Sequence, residues 1–316
     1  MKKPVIAVIG PTAVGKTSLS IKLAQQFNGE VISGDSMQVY KGMDIGTAKV
    51  TPAEMAGIPH HMIDILDPCD PFTAADFQVM TKDLIGDLHD NGKLPIIAGG
   101  SGLYIQSVLY DYDFSNEVRD PAVTERLKKE LEEKGAGELH ARLCKVDPFQ
   151  AEKIHPNNHR RLIRALEVFE TTGKPMSESG MKQIANGDTT PYVIGLEMDR
   201  TLLYDRINKR VDKMMDEGLI DEVERLLKSG HEFCRPMRGI GYKELVPYIR
   251  GEITLPEAVE QLKQNSRRFA KRQYTWFRNK MDVNWFEITP QTADETFKQI
   301  SHTVAGFLKD AENSSI

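Results

Sequence analysis

Residues 5–9, Val-Ile-Ala-Val-Ile, are all apolar and stop at Gly10-Pro11. A run this short, mostly β-branched and closed by turn residues, predicts a strand buried on both faces. In residues 16–27, Leu19, Leu23 and Phe27 recur every four positions, which predicts a helix with one apolar stripe. Residues 30–33 and 95–98 predict two more strands, the second closed by Gly99-Gly100-Ser101-Gly102, and a helix starts near Leu103. Residues 192–196 and 283–288 predict a fourth and a fifth strand. Strands alternating with helices predict a parallel sheet covered on both faces.

Residues 120–182 break this rhythm. They contain no strand candidate, and residues 125–134 and 157–170 predict charged helices, the latter with Leu162, Leu166 and Phe169 on one side. This block reads as an all-helical insertion domain, 120–182, in an α/β core made of residues 1–119 and 183–316. Gly, Pro, Ser and Asn-Gly-Asp cluster in residues 173–191, which predicts a flexible return loop.

Composition is that of an ordinary globular protein, 40% hydrophobic and 28% charged over 316 residues. No apolar run approaches the roughly 18 residues of a membrane span. The first apolar run is too short for a signal-peptide core and lacks a cleavage site, so a cytoplasmic protein without a membrane anchor is expected. Cys69, Cys144 and Cys234 form no CxxC pair. Isolated reduced thiols are expected, rather than a zinc site or a disulfide framework.

The net charge of −5 argues against a uniformly basic coat but hides a patch. Residues 261–281 contain no acid, yet carry Lys263, Arg267, Arg268, Lys271, Arg272, Arg278 and Lys280. At 100° per residue, the first five cations fall on one half of a helix. Leu262, Phe269, Ala270, Trp276 and Phe277 fall on the other, with Gln273 among them as an inward-pointing amide. A solvated helix face explains the apolar half but not five cations without a carboxylate, so binding to a phosphate backbone is expected. Arg160, Arg161 and Arg164 form a second cluster in the insertion.

Gly10-Pro11-Thr12-Ala13-Val14-Gly15-Lys16-Thr17 fits GxxxxGK[ST] between a predicted strand and helix, the context this motif requires. Backbone N–H groups and the helix N-terminus favour phosphate oxygens, Lys16 supplies a cation, and the Thr17 hydroxyl suits Mg2+ or a phosphate oxygen. The loop specifies phosphate binding but not the nucleotide or diphosphate bound: an ATPase, a kinase and a prenyl transferase could each use it. Asp35 follows the second strand, so it should face the loop, as a metal ligand, a general base or a helix N-cap. His60 and His61 have no further ligands at metal spacing and are expected to serve packing or loop hydrogen bonds.

The phosphate loop is followed in order by six further motifs. These are Asp35-Ser-Met-Gln-Val-Tyr40, Gly42-Met-Asp-Ile-Gly-Thr-Ala-Lys49, Ala98-Gly-Gly-Ser-Gly-Leu-Tyr104, Arg160-Arg-Leu-Ile-Arg-Ala-Leu-Glu-Val168, Gly239-Ile-Gly-Tyr242 and Ala270-Lys-Arg-Gln-Tyr-Thr-Trp-Phe-Arg278. Together they resemble the tRNA dimethylallyltransferase family, from residue 5 to about 286. The resemblance implies a P-loop NTPase-like parallel sheet flanked by helices. It also implies transfer of a dimethylallyl group from dimethylallyl diphosphate to the exocyclic amine of adenosine 37 of tRNA. By the same resemblance Asp35 is the base and Thr17 contacts the bridging oxygen. An arginine after the fourth strand contacts the diphosphate, with Arg210 favoured over Arg206.

The family pulls its target base from the stack and brings base and donor into one channel from opposite ends. Asp35, Ser36, Met37, Gln38 and Ser101 are expected near that base. Further contacts to the anticodon stem-loop are expected from Arg160, Arg161 and Arg164, and from Arg238, Gly241, Tyr242 and Lys243. The basic segment would add Arg267, Lys271, Arg272, Gln273 and Arg278. Some relatives carry an arginine where this chain has Thr124, which puts an RNA contact there in doubt. A monomer is expected. Two other readings stay open: a free-nucleotide isopentenyltransferase or P-loop kinase, which needs no basic segment, and a non-catalytic RNA-binding ATPase, which needs no base at Asp35.

Overall fold

A computed structural model of the chain describes residues 3–110, 112, 114, 120–178 and 189–313. The chain divides into two compact units, Met1–Tyr110 with Ala185–Ile316, and Asp111–Ile184.

The first unit is built on six strands: β1 (Lys3–Ile9), β2 (Gly29–Ser33), β3 (His60–His61), β4 (Leu94–Gly99), β5 (Thr189–Glu197) and β6 (Asn284–Glu287). All pairings are parallel, in the order β3-β2-β4-β1-β5-β6. Side chains alternate across a strand, so Val5, Ala7 and Ile9 enter one apolar cluster and Ile6 and Val8 the other; all five are fully buried. Burial on both faces explains the unbroken apolar run, at roughly 1.5–3 kcal/mol for each large side chain.

One face is covered by α1 (Lys16–Gln26) and α12 (Ala293–Asn313), with Leu203 and Ile207 of α8 (Arg200–Asp216). The other is covered chiefly by α3 (Ala74–Asp90), α4 (Gly102–Leu109), α9 (Leu219–Lys228) and α11 (Leu255–Lys280). Two short helices, α2 (Pro52–Met55) and α10 (Leu245–Ile249), and a 3-10 turn, Arg235–Arg238, complete this unit. The chain leaves β1 toward β2, β3 and β4 on one side, and β5 and β6 extend the sheet on the other. This makes β1 the switch point, where open α/β sheets bind ligands beyond the strand ends.

The five strands expected from sequence are present. The sixth, β3, was not anticipated, because two residues carry no periodicity. Its histidines are held locally: His60 Nδ1 lies 2.9 Å from the Ile58 carbonyl and His61 Nε2 2.7 Å from Glu30 Oε2. No His, Cys, Asp or Glu group fit to hold a metal occurs among the described residues. The expected return loop at 173–191 lies partly outside the described residues, and its end, from Thr189, is already in β5.

In the second unit, α5 (Pro121–Val146), α6 (Pro148–Lys153) and α7 (His159–Thr172) enclose a core that includes Leu127, Leu139, Leu143, Leu162 and Leu166. Asp120 caps α5 through the Ala122 and Val123 N–H groups, and α5 breaks at Gly135, where φ is 80°. Thr124 donates to buried Glu167 at 2.7 Å, so its hydroxyl is engaged inside this unit.

The cysteines correct the sequence expectation. Cys69 and Cys234 form a disulfide, with Cα atoms 4.8 Å apart and a sequence separation of 165, while Cys144 is free and exposed. Tertiary folding alone brings such distant positions within bonding reach, so their spacing carried no signal.

Candidate active site

Parallel pairing places the ends of β1, β2 and β4 on one edge, and each carries a candidate element. After β1 the phosphate loop turns through Ala13 and Gly15, with φ of 66° and 115°, into α1. No acid stands in the first turn of α1, so its positive end is uncompensated. Lys16 Nζ donates to the Pro11 carbonyl at 2.8 Å, folding the cation over the loop. The Thr12 N–H is not free for phosphate: it donates to Gln273 Oε1 at 2.9 Å.

Asp35 follows β2, and its Oδ1 accepts the Met37 N–H at 3.0 Å. Ser101, after β4, accepts the Ser36 N–H at 2.9 Å, which ties the glycine turn to the Asp35 loop. Gln38 is also committed. Its Oε1 accepts from Ser33 Oγ at 2.7 Å, and its Nε2 donates to the Thr47 and Ala48 carbonyls at 3.2 and 3.3 Å.

These elements surround a cavity of about 420 Å³, within the range of small-molecule sites. Lys16, Thr17, Asp35, Ser101 and Arg210 all line it. A second cavity of about 740 Å³, along the outer side of the phosphate loop, shares Lys16, Thr17 and Arg210. Arg210 therefore reaches both cavities, whereas Arg206 lines the outer one but not the one with Asp35, and donates from Nε to the Ala13 carbonyl at 2.9 Å.

Electrostatically the site is tense. Burial, reinforced by Arg210, lowers the pKa of Lys16 to about 7, against the pull of Asp35. Burial raises the pKa of Asp35, opposed by the Met37 N–H, Lys16 and Arg210. Burial works against the charge of Arg210, which Asp35 and Glu54 support. Two half-buried cations and one carboxylate thus face a common space, an arrangement suited to a polyanion beside a group that gives up a proton.

The remaining sequence candidates separate into two sets. Arg238, Lys243 and Arg272 are exposed and line the first cavity, with Lys243 Nζ 3.6 Å from Glu244 Oε1, and Met37 joins them half-buried. Lys271 and Arg268 are exposed on α11, as Arg160 and Arg161 are on α7. The other set is engaged within the protein. Tyr242 is fully buried with its hydroxyl donated to Glu222, and the Gly241 N–H donates to Glu244. Arg164 pairs with Glu167 at 2.8 Å, Arg267 bonds Asn208 and Glu260, and Arg278 bonds Glu197. The acids absent from residues 261–281 therefore arrive partly from elsewhere in the fold.

Gln273 is inward-pointing as its helical position requires, 5% exposed, with Nε2 donating to the Gly100 carbonyl at 3.1 Å. A Cβ on Gly100 would collide with this amide, so a side chain there would displace the Gln273 amide from its bonds to Thr12 and Gly100. Sequence reading missed Glu222, an acid on an amphipathic helix, which by pattern alone reads as a solvated face.

Fold and cavity define an α/β protein with a P-loop-like fold and a cavity at the ends of its central strands. Residues 38–280 match the family profile described as IPP transferase. The chain is 56% identical over 313 residues to the tRNA dimethylallyltransferase of Oceanobacillus iheyensis, covering 99% of this chain and 100% of the relative. To that of Bacillus subtilis it is 55% identical over 309 residues, covering 98% of each. Among solved structures, the tRNA isopentenylpyrophosphate transferase of Bacillus halodurans superposes with a TM-score of 0.76 at 47% identity, covering 100% of this chain and 99% of that one. A eukaryotic dimethylallyltransferase acting on tRNA gives a TM-score of 0.82 at 32% identity, covering 98% and 80%. The chain belongs to the IPP transferase family.

Proposed function

We propose that this enzyme transfers the dimethylallyl group of dimethylallyl diphosphate to the exocyclic amine of adenosine 37 in the anticodon stem-loop of tRNA. The observation that carries the reading is that Asp35 lines the same cavity as Lys16, Thr17 and Arg210. The amine nitrogen attacks C1 of the donor, the C1–O bond breaks, and its electron pair leaves with diphosphate. The amine proton passes to the Asp35 carboxylate, because an aromatic amine is a poor nucleophile while it keeps that proton. Lys16, Arg210 and the α1 N-terminus offset the charge that develops on the leaving group, and the Thr17 hydroxyl donates to its bridging oxygen.

Magnesium fits this donor set through Thr17 and the diphosphate itself, since Mg2+ commonly binds substrate phosphates with few protein ligands. It would supply further charge neutralisation on the leaving group. Exposed Arg238, Lys243, Arg268, Lys271 and Arg272, with Arg160 and Arg161 on α7, provide cations for tRNA phosphates. No helix among the described residues is long and apolar enough to cross a membrane.

The test is incubation with dimethylallyl diphosphate, magnesium and one of three acceptors: unmodified tRNA, AMP or ATP. A prenyl mass gain on tRNA alone is expected. Gain on AMP but not tRNA would replace this reading with a free-nucleotide transferase, and gain on none would return it to an RNA-binding ATPase.

A further inference from the structure

Glu222 is 3% exposed, on α9, and lines neither cavity. Its Oε2 accepts the N–H groups of Asp44 and Ile45 at 2.9 and 2.8 Å. Its Oε1 accepts the Gly46 N–H at 3.0 Å and the Tyr242 hydroxyl at 2.7 Å. Four donors converge on one carboxylate, about its full acceptor capacity. The Tyr242 ring also lies against Gly46, so closely that a Cβ there would come within 2.6 Å of it.

Two cavity walls meet through this carboxylate. Gly46, Thr47 and Ala48 line the cavity that contains Asp35, and so do Gly239, Ile240 and Lys243 on either side of Tyr242. None of these residues lines the outer cavity along the phosphate loop. Gln38 joins the first wall to the Asp35 loop through the Thr47 and Ala48 carbonyls. Lys49 anchors the far end of the same segment on Asp44, Asp64 and the Tyr40 carbonyl.

We propose that Glu222 is a positioning residue for the acceptor half of the site, holding residues 44–46 and Tyr242 so that the two walls seat the target adenosine against Asp35. The role rests on the transfer reaction proposed above. It requires two acceptor oxygens. A glutamine has one acceptor oxygen and would turn an NH2 group toward N–H donors, so Glu222→Gln disrupts the junction with almost no change in volume.

The experiment measures kcat/KM for tRNA, with saturating dimethylallyl diphosphate, and separately the affinity for inorganic diphosphate with magnesium. Glu222→Gln should lower kcat/KM for tRNA at least about tenfold, the scale of losing charge-assisted hydrogen bonds. Diphosphate affinity should stay within about twofold, as for independent sites. Tyr242→Phe keeps the ring on Gly46 and the three backbone bonds, so a smaller loss in the same direction is expected. A Glu222→Gln protein within about twofold of the parent on tRNA would overturn the proposal. So would parallel losses of transfer and diphosphate binding in both variants, which would reduce Glu222 to a fold-stabilising group. Failure of the parent protein to prenylate tRNA would overturn the reaction itself, and this role with it.

Discussion

At neutral pH the Lys16 ammonium sits near its titration midpoint, because burial and Arg210 lower its pKa to about 7. An anion bound between Lys16 and Arg210 favours the protonated form and raises that pKa. Between the free and bound values, binding must therefore take up a proton, and affinity for diphosphate falls as pH rises through that window. Below both values Lys16 contributes no pH dependence. Calorimetric titration of diphosphate at about pH 8, in buffers of different ionisation enthalpy, should show net proton uptake that Lys16→Met largely removes. Uptake unchanged in Lys16→Met would assign the proton to another group. Asp35 carries the complementary prediction. Its raised pKa makes it a stronger base once ionised, and asparagine can keep the bond to the Met37 N–H. Asp35→Asn should slow prenyl transfer at least about a hundredfold with tRNA binding largely retained. Near-normal turnover would remove Asp35 from the proton transfer.

At the scale of the element, α11 shows how far a helical period can be read. The period separated the cationic half from the apolar half and turned Gln273 inward, as found. It could not reveal that Lys263 meets Asp212, that Arg267 meets Asn208, or that Arg278 meets Glu197, because those partners lie on α8 and β5. The same limit hid the internal partner of Tyr242. Its local motif is visible, but the carboxylate that takes its hydroxyl comes from twenty residues earlier. The exposed cations of α11 that have no ion pair among the described residues therefore define the sharper experiment. Changing Arg268, Lys271 and Arg272 together to alanine should weaken tRNA binding and reduce the log–log salt slope by about 2, at roughly 0.7 per single-strand phosphate. Arg267→Ala should leave that slope nearly unchanged. Equal effects from both sets would mean that Arg267 exchanges its internal partners for phosphate on binding.

At the scale of the molecule, the α/β class and five strands were legible because each follows from a local period, and the interruption of that period marked out the block read as an insertion. Strand order and the Cys69–Cys234 pairing were not, since both depend on which distant segments meet. The interrupted pattern has a thermodynamic counterpart. The insertion has its own apolar core around Leu127, Leu143 and Leu166, while the clusters on the two faces of the sheet are drawn from the first unit. Every residue lining the Asp35 cavity and the outer cavity also belongs to the first unit. Replacing residues 111–184 with a flexible Gly-Ser linker should therefore leave a cooperatively folding protein that binds diphosphate within about twofold of the parent, as expected for independent sites. Because Arg160 and Arg161 leave with the insertion, tRNA affinity should fall and its salt dependence should become shallower. Thermal unfolding, diphosphate calorimetry and tRNA binding at two salt concentrations, carried out on the same preparation, check the three parts. A shortened protein that folds but no longer binds diphosphate would show that the insertion helps to build the phosphate site. One that keeps full tRNA affinity would confine RNA recognition to α11 and the cavity rim.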